Sequence, residues 1–284
     1  MTYEYDSRMD NVLITGASSG IGEGCALRLD ALGYRVFAGV RKAADGDSLR
    51  GKSSGKLTPV SLDVTSAESI AGAVAALGGV RLGGLVNNAG VAIAGPLELV
   101  PLDLWRRQME VNVMGPVAVT QAFLPQLRAG RGRIVNIGSV AGRSALPLAG
   151  PYCASKHALE GLSDSLRMEV KRWGIAVSIE DPGAVKTPIW DKSLGDADEL
   201  RRQANPELFE LYRVLVEKML KAVAVSARIG VPVEDVVKAV EHALTSAKPK
   251  TRYVVGRDAK IRMLLNWLPD LRRDSLILKQ IEKM

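Results

Sequence analysis

The chain has 284 residues, of which 47% are hydrophobic and 24% are charged, and its formal net charge is +7. This length can bury the core of one α/β domain. No run reaches the roughly 18 apolar residues of a membrane-spanning helix, and the polar start MTYEYDSRMD is unlike a signal peptide. Two cysteines and two histidines give neither a disulfide framework nor metal-ligand spacing. We therefore expect a cytoplasmic protein without a bound metal.

Positive charge is concentrated at the end of the chain. From Lys248 onward there are ten Lys/Arg and four Asp/Glu residues, a net charge of +6. A solvated basic tail is the simplest interpretation, and contact with an anionic surface is the alternative. The basic residues are not interleaved with stacking aromatic residues, which argues against nucleic-acid binding.

Short apolar runs alternate with helical patterns along the chain. The runs are apolar on both faces, as in a parallel sheet covered by helices. Repeated βαβ units predict one doubly wound, Rossmann-type domain over residues 1–284, with a helical substrate lid at about 184–230 and a C-terminal helical extension at about 257–284. A bend is expected at Gly115 and Pro116. The predicted strands are 12–16, 35–40, 57–64, 82–90, 132–139, 175–183 and 252–256, and the predicted helices 21–33, 66–77, 102–127, 152–173, 206–225 and 233–246.

The first strand ends in TGASSGIG, residues 15–22, which fits two kinds of site. G-x-S-x-G is the nucleophile elbow of serine hydrolases, but an elbow at Ser18 needs an oxyanion-hole loop from an earlier strand, and none precedes it. The later histidine, His242, falls inside a helical pattern. The alternative is a phosphate-binding turn in which glycines let the backbone approach a dinucleotide. A tight turn that needs glycine only for packing is the third interpretation. The turn's candidate ligands are Gly16, Ser18, Ser19, Gly20, Ile21 and Gly22.

A second constellation lies more than a hundred residues downstream. Tyr152 and Lys156 are four apart and share one helix face, where an ammonium group would lower the pKa of the phenol. Ser139 ends a strand and can bind a substrate carbonyl beside the Tyr152 hydroxyl. Asn112 is an amide in an apolar helical stretch, for which a bound water is a plausible partner. Taken alone, Tyr152 and Lys156 have an alternative interpretation as an ordinary pair of side chains on a helix surface.

Together these motifs resemble the short-chain dehydrogenase/reductase family, from residue 12 to about 190. The resemblance implies a nicotinamide cofactor, hydride transfer between a carbonyl and an alcohol, and assembly as a homodimer or homotetramer. It implies that Tyr152 is the general acid/base, that Lys156 lowers its pKa and binds the nicotinamide ribose, that Ser139 orients the carbonyl, and that Asn112 supports a proton-relaying water. The motifs are TGASSGIG (15–22), NNAG (87–90), Asn112, Ser139, YCASK (152–156) and PGAVKT (182–187). Further cofactor contacts are implied at Asp63, Val64, Asn88, Ala89, Gly90, Pro182, Gly183, Val185 and Thr187.

The end of the second strand indicates which cofactor is bound. An acid there would bind the ribose 2′-hydroxyl of NAD, whereas an arginine accommodates the 2′-phosphate of NADP. The acid position holds Val40, and Arg41 and Lys42 follow it. We therefore expect NADP, held by Arg41, although Arg41 stacking on the adenine is the alternative.

The C-terminal part suggests the substrate class. Its segment RYVVGRDAKIRMLLNWLPDLRRDSLI, residues 252–277, resembles the tails of hydroxysteroid and retinol dehydrogenases. This resemblance implies a hydrophobic ketone or alcohol such as a steroid, a retinoid or a long-chain compound. The runner-up is an NADP-binding sensor or scaffold protein with little turnover, and a serine hydrolase is third. Candidate pocket residues, which could equally be core, are Leu146, Leu148, Trp190, Leu194, Phe209, Tyr212 and Leu215. Candidate contacts to a membrane surface, which could equally pack on the protein, are Leu264, Leu265, Trp267, Leu268, Arg272 and Arg273.

Overall fold

A computed structural model describes residues 11–190, 202 and 204–283. Part of the predicted lid, including Leu194, lies outside the described residues. The strands are β1 Asn11–Ile14, β2 Arg35–Val40, β3 Leu57–Ser61, β4 Gly84–Asn87, β5 Arg133–Ile137, β6 Ala176–Pro182 and β7 Arg252–Val255. The α-helices are α1 Gly20–Ala31, α2 Ala43–Lys52, α3 Ala67–Leu77, α4 Leu102–Met109, α5 Gly115–Gly130, α6 Gly150–Val170, α7 Pro206–Ile229, α8 Val233–Thr245, α9 Arg257–Leu265 and α10 Asp270–Glu282.

The seven strands form one parallel sheet in the order β3-β2-β1-β4-β5-β6-β7. Alternate residues of β1 enter different cores, because Val12 and Ile14 pack with α1 and α8 whereas Leu13 packs with α3 and α5. Helices thus cover both faces, and the predicted doubly wound Rossmann-type fold with C-terminal helices is confirmed. The strand order reverses between β1 and β4, which is where such sheets bind their ligands.

The predicted elements are mostly correct, with two differences in helices. Helix α2 was not predicted, because AADGDSLRGK carries two glycines and Leu49 is its only large apolar residue. Tertiary packing supports it: a Cβ at Gly46 would lie 2.8 Å from Cβ of Pro59 on β3. The long helix predicted over 102–127 is interrupted by a π-helix at Glu110–Met114, directly before Pro116.

The C-terminal helices expose part of their apolar surface. Leu264 is 67% exposed and Trp267 is 88% exposed, whereas Leu265 and Leu268 are half-buried. Arg273 pairs with acids of its own helix α10. No helix of the described residues is long and apolar enough to cross a membrane. Contact with a membrane surface therefore remains a prediction, which co-sedimentation with anionic vesicles would test.

The glycine turn after β1 lies directly against the segment that follows β4. Gly16 has a φ of 64°, and a Cβ there would lie 2.7 Å from Cα of Ala89. A Cβ at Gly22 would lie 2.4 Å from both the carbonyl oxygen of Gly16 and Nδ2 of Asn88. Packing alone therefore requires glycine at these two positions. Gly20, at the start of α1, also has a positive φ of 61°.

We predict that Gly22→Ala lowers the free energy of unfolding by about 1–3 kcal/mol, because backbone and a bonded amide block the new methyl group. The matched control is Gly72→Ala in α3, where nothing lies within 4 Å of the added Cβ. Helix propensity should make that variant more stable by about 0.5–1 kcal/mol. Urea denaturation measures both changes. A Gly22→Ala protein as stable as the Gly72→Ala control would contradict the packing account.

Candidate active site

The glycine turn leads into a helix N-terminus that can hold an anion. The first N–H groups of a helix have no intrahelical partner and carry the positive end of its dipole. Ser18 is exposed beside this end of α1. Ser19 is the N-cap residue, yet its side chain makes no capping hydrogen bond. The hydroxyl group of Ser19 is thus not used to cap the helix.

Thr15 and Asn88 hold the two turns together. Thr15 Oγ1 accepts hydrogen bonds from the backbone N–H groups of Asn88 and Ala89, both at 3.0 Å. Asn88 Nδ2 donates to the carbonyl oxygens of Thr15 at 3.0 Å and Gly16 at 2.9 Å. The side-chain amide group of Asn88 therefore shapes the turn. Thr15 was missed in the sequence, although a polar residue ending a buried strand was a signal for it.

The ends of β2 and β3 bring Arg41 and Asp63 close together. Arg41 is exposed directly after β2. The carboxylate of Asp63 accepts hydrogen bonds from Thr65 N at 2.9 Å and Thr65 Oγ1 at 2.7 Å. These bonds lower the pKa of Asp63, and the charge of Arg41 lowers it further. Val64 is buried, and a Cβ at Gly115 would lie 2.8 Å from its Cγ2.

Asn112 sits in the π-helix with its side chain fully engaged by protein. Its Oδ1 accepts from Val91 N at 2.9 Å, and its Nδ2 donates to Val91 O at 3.0 Å and to Ser155 Oγ at 3.1 Å. Both N–H groups of the amide are already used, so a water bound to this side chain, as the sequence suggested, finds no free amide donor. The backbone carbonyl is different, because residue 116 is proline and lacks the N–H that an α-helix would direct at it. Asn112 thus ties the segment after β4 to α6.

Helix α6 places Tyr152 and Lys156 beside the end of β5. Lys156 is buried, its Nζ donates to Ile137 O at 2.7 Å, and Nζ lies 5.7 Å from the ring centre of Tyr152. Ser139 Oγ accepts from Ala141 N at 3.1 Å, and the Ser139 side chain acts on the Tyr152 phenol, whose pKa it lowers. The predicted Ser139, Tyr152 and Lys156 set therefore meets at one point.

Burial shifts both titrating groups of this set. Burial raises the pKa of Tyr152, and the hydrogen bond with Ser139 opposes that shift. Burial also lowers the pKa of Lys156 to about 8, against the attraction of Asp181. The net direction for Tyr152 is opposite to the one expected from its lysine neighbour. At neutral pH this site holds a protonated phenol and an ammonium group.

The Pro182-Gly183 turn after β6 is held from the C-terminal extension. Asp258, on α9, accepts a hydrogen bond from Ala184 N at 2.8 Å. A Cβ at Gly183 would lie 2.1 Å from the Asp258 carboxylate, so only glycine fits there. Further along this segment, Thr187 Cγ2 lies 3.2 Å from the position of a Cβ on Gly20. The segment therefore reaches the glycine turn of β1, as the sequence motifs implied.

Val185 is also part of this segment. It is buried and forms an isolated parallel bridge with Val231. Trp190 Nε1 donates to the Val185 carbonyl at 2.7 Å, which fixes the ring near the same turn. Asp258 and Arg262 of α9 were not predicted as site residues, because they lie beyond the last strand, where no motif marks them.

The residues predicted to line a pocket are half-buried wherever they are described. Tyr212, on α7, donates its hydroxyl to Glu98 Oε2 at 2.8 Å, so the lid helix contacts the segment after β4. Helix α7 has no fully buried residue, and Leu211 on it is 76% exposed. These side chains are therefore not core. The half-buried residues are Leu146, Leu148, Trp190, Phe209, Tyr212 and Leu215.

The hydrolase interpretation has no catalytic histidine. His242 lies inside α8, as expected, and its Nδ1 is 2.7 Å from the hydroxyl group of Tyr253 on β7. Groups of three or more metal-ligating side chains are also absent from the described part of the chain. The side chains that remain as candidates for catalysis are Ser139, Tyr152 and Lys156, beside the glycine turn.

Comparisons with known proteins agree with this geometry. The profile of the family described as short chain dehydrogenase matches residues 10–198. Mouse retinol dehydrogenase 16 is 37% identical, over 94% of this chain and 87% of its own length. The NADPH-dependent 3-dehydrocapnine reductase of Ornithobacterium rhinotracheale is 35% identical, over 97% of this chain and 99% of its own.

A solved structure gives the same result. The short chain dehydrogenase/reductase of Burkholderia phymatum in complex with NAD has a TM-score of 0.76 and 26% identity, over 92% of this chain and 94% of that one. The family profile spans more than half of the chain, and two relatives exceed 30% identity over nearly all of it. The chain therefore belongs to the short-chain dehydrogenase/reductase family and is an oxidoreductase.

Proposed function

We propose that this protein is an NADP-dependent oxidoreductase that interconverts hydrophobic ketones or aldehydes with the corresponding alcohols. The observation that carries the proposal is the meeting of Ser139 and Tyr152 beside the buried ammonium of Lys156, whose Nζ is bonded to Ile137 O and lies 5.7 Å from the Tyr152 ring centre. Two hydroxyl groups that meet at a point can both donate to one carbonyl oxygen. A buried cation next to them stabilises the negative charge that forms there.

The residues present fit a nicotinamide dinucleotide. The N-terminus of α1, with an uncapped Ser19, suits the pyrophosphate, and Gly20 leaves room for it. In this proposal Arg41 and Asp63 bind the adenosine, and Lys156 binds the nicotinamide ribose. When bound, the cofactor supplies or accepts the hydride. No metal is needed for the proton chemistry that the side chains perform.

In the reduction direction, Ser139 and Tyr152 hold the substrate carbonyl through their hydroxyl groups. Tyr152 then donates its proton to the carbonyl oxygen as the carbon is reduced. Its raised pKa keeps the phenol protonated at neutral pH and ready to act as the acid. The ammonium of Lys156, with a pKa of about 8, stabilises the phenolate that is left. A water on the Asn112 carbonyl would return the proton from solvent.

A preference for NADP rests on Arg41. It directly follows Val40, the position at which an acid would select NAD, and the charge of Arg41 lowers the pKa of Asp63. The reductase from Ornithobacterium rhinotracheale is named for NADPH, whereas the structure from Burkholderia phymatum holds NAD. Arg41 supports NADP as the cofactor of this chain.

We predict that Arg41→Asp reverses the cofactor preference. Removing the guanidinium and adding a carboxylate should lower kcat/KM for NADPH by about 10²-fold or more, because a charge-assisted pair with the 2′-phosphate is replaced by repulsion. Steady-state kinetics with NADPH and NADH measures the ratio. Lys52→Asp, farther along the same segment and paired with Glu23, is the control and should leave the ratio unchanged. A wild-type protein that prefers NADH would contradict the proposal.

The hydrophobic substrate class rests on the half-buried aromatic and aliphatic side chains around the turn after β6 and on α7. The test is a panel of steroid, retinoid and long-chain carbonyl compounds and alcohols, followed by NADPH absorbance. We expect turnover of large apolar ketones or alcohols and little turnover of small polar ones. Binding of NADPH without turnover of any compound would favour the sensor or scaffold alternative.

We also propose that the protein forms a homodimer or homotetramer through α5 and α6. Met114, next to α5, is 51% exposed and Met168, on α6, is 70% exposed. Exposed methionines on α6 and on the π-helix that leads into α5 support a self-association face there. Light scattering of the purified protein measures its mass, and a monomer at micromolar concentration would contradict this part of the proposal.

A further inference from the structure

Helix α9 contributes one face to the catalytic region. Asp258, Arg262 and Asn266 follow one another at intervals of four, so they share a side of the helix. Asp258 bonds the turn after β6 through Ala184, as described above. Arg262 Nη2 donates to the Ser144 carbonyl, and Asn266 Nδ2 donates to the Arg143 carbonyl at 2.8 Å. This face therefore connects the turn after β6 to the segment between Ser139 and Tyr152.

Arg262 is a half-buried cation that makes few hydrogen bonds to protein. A guanidinium group has five N–H donors, and within the described residues one of them binds the Ser144 carbonyl. Its Nε is inaccessible to solvent, and none of the described residues accepts a hydrogen bond from it. Among residues 11–190, 202 and 204–283, no carboxylate lies within ion-pair distance of it. Because desolvating part of a cation without an acceptor or a counter-ion costs free energy, an anion is a suitable partner for this group.

The position of Arg262 beside the reacting group suggests where that anion comes from. Its charge acts on the side chains of both Tyr152 and Cys153, and it lowers the pKa of the Tyr152 phenol in opposition to burial. Burial lowers the pKa of Arg262 itself. The nearest acid of its own helix, Asp258, is occupied by the turn after β6. The hydrogen bond to the Ser144 carbonyl holds Arg262 against the segment between Ser139 and Tyr152, so an acidic group of a substrate bound at Tyr152 is a candidate for the missing anion.

We propose that Arg262 binds an acidic group of the substrate, so that the substrate is a hydrophobic ketone or secondary alcohol that carries a carboxylate or a similar oxyanion near its reacting carbon. This inference rests on the proposed carbonyl chemistry of Ser139 and Tyr152 and narrows its substrate class. The apolar part of the substrate would lie along the half-buried side chains already described. The net charge of +6 from Lys248 onward would also favour the approach of an anion.

The test compares a 4-oxo fatty acid with its methyl ester, which differ only in the acidic group. Arg262→Met removes the charge and keeps a long apolar side chain, and Arg262→Lys restores a charge. Lys260→Met, on the same helix and exposed, is the matched control. We expect the wild type to prefer the acid in kcat/KM. The preference should fall at least about tenfold in Arg262→Met, recover in part in Arg262→Lys and stay unchanged in Lys260→Met.

A second readout does not depend on turnover. With NADPH present, decanoate should raise the melting temperature of the wild type and of Lys260→Met but not of Arg262→Met. If the wild type turns over neither compound while decanoate still shows this pattern, the carbonyl chemistry fails and the anion site stands. The inference would be overturned if Arg262→Met lowered kcat/KM equally for the acid and the ester and shifted the pH profiles of both reactions equally. That result would indicate an effect on Tyr152. An increase in the KM for NADPH alone would overturn it in favour of cofactor binding.

Discussion

The ammonium group of Lys156 is buried, and the carbonyl oxygen of Ile137 is the acceptor that holds it there, at 2.7 Å. This bond joins the first turns of α6 to the end of β5. It also holds Tyr152 one turn earlier on the same helix, near Ser139. The carboxyl edge of the sheet supplies the other groups of the site, because all seven strands end there in parallel. The catalytic arrangement thus depends on a single helix being anchored to a single strand.

The same burial that anchors Lys156 sets the protonation of the site. A low-dielectric environment disfavours charge, and so it raises the pKa of the phenol and lowers that of the ammonium. The hydrogen bond from Ser139 and the charge of Arg262 partly offset the effect on Tyr152. At neutral pH the phenol of Tyr152 is therefore protonated and Lys156 is charged. In the proposed reduction, Lys156 and Arg262 would both stabilise the phenolate that Tyr152 leaves.

Much of this arrangement could be read from the sequence, because local patterns specify it. The apolar runs and glycine turns predict a parallel sheet, and Tyr152, Lys156 and Ser139 are marked by spacing. What could not be read depends on packing between distant segments. Helix α2 has a weak apolar pattern and forms because Gly46 fits against β3. Asn112 was expected to bind water through its amide, but its partners come from Val91 and Ser155.

Arg262 is a second residue whose environment cannot be predicted from local sequence patterns. In the sequence it is one basic residue in a basic tail, for which exposure to water is the simplest expectation. Gly256 leads into α9, and Asp258 fixes that helix to the turn after β6, so that Arg262 is half-buried and bonds Ser144 in the segment before Tyr152. No residue near Arg262 in the sequence indicates this. Only the three-dimensional contact with Ser144 reveals it.

We propose that Tyr152 transfers the proton while other residues hold the cofactor. The measurement that tests this is single-turnover reduction of a ketone by the NADPH-bound Tyr152→Phe protein, with NADPH affinity determined separately by fluorescence. We expect a loss of at least about 10²-fold in the reduction rate and an NADPH dissociation constant close to that of the wild type. A Tyr152→Phe protein that reduces the ketone at the wild-type rate would contradict it.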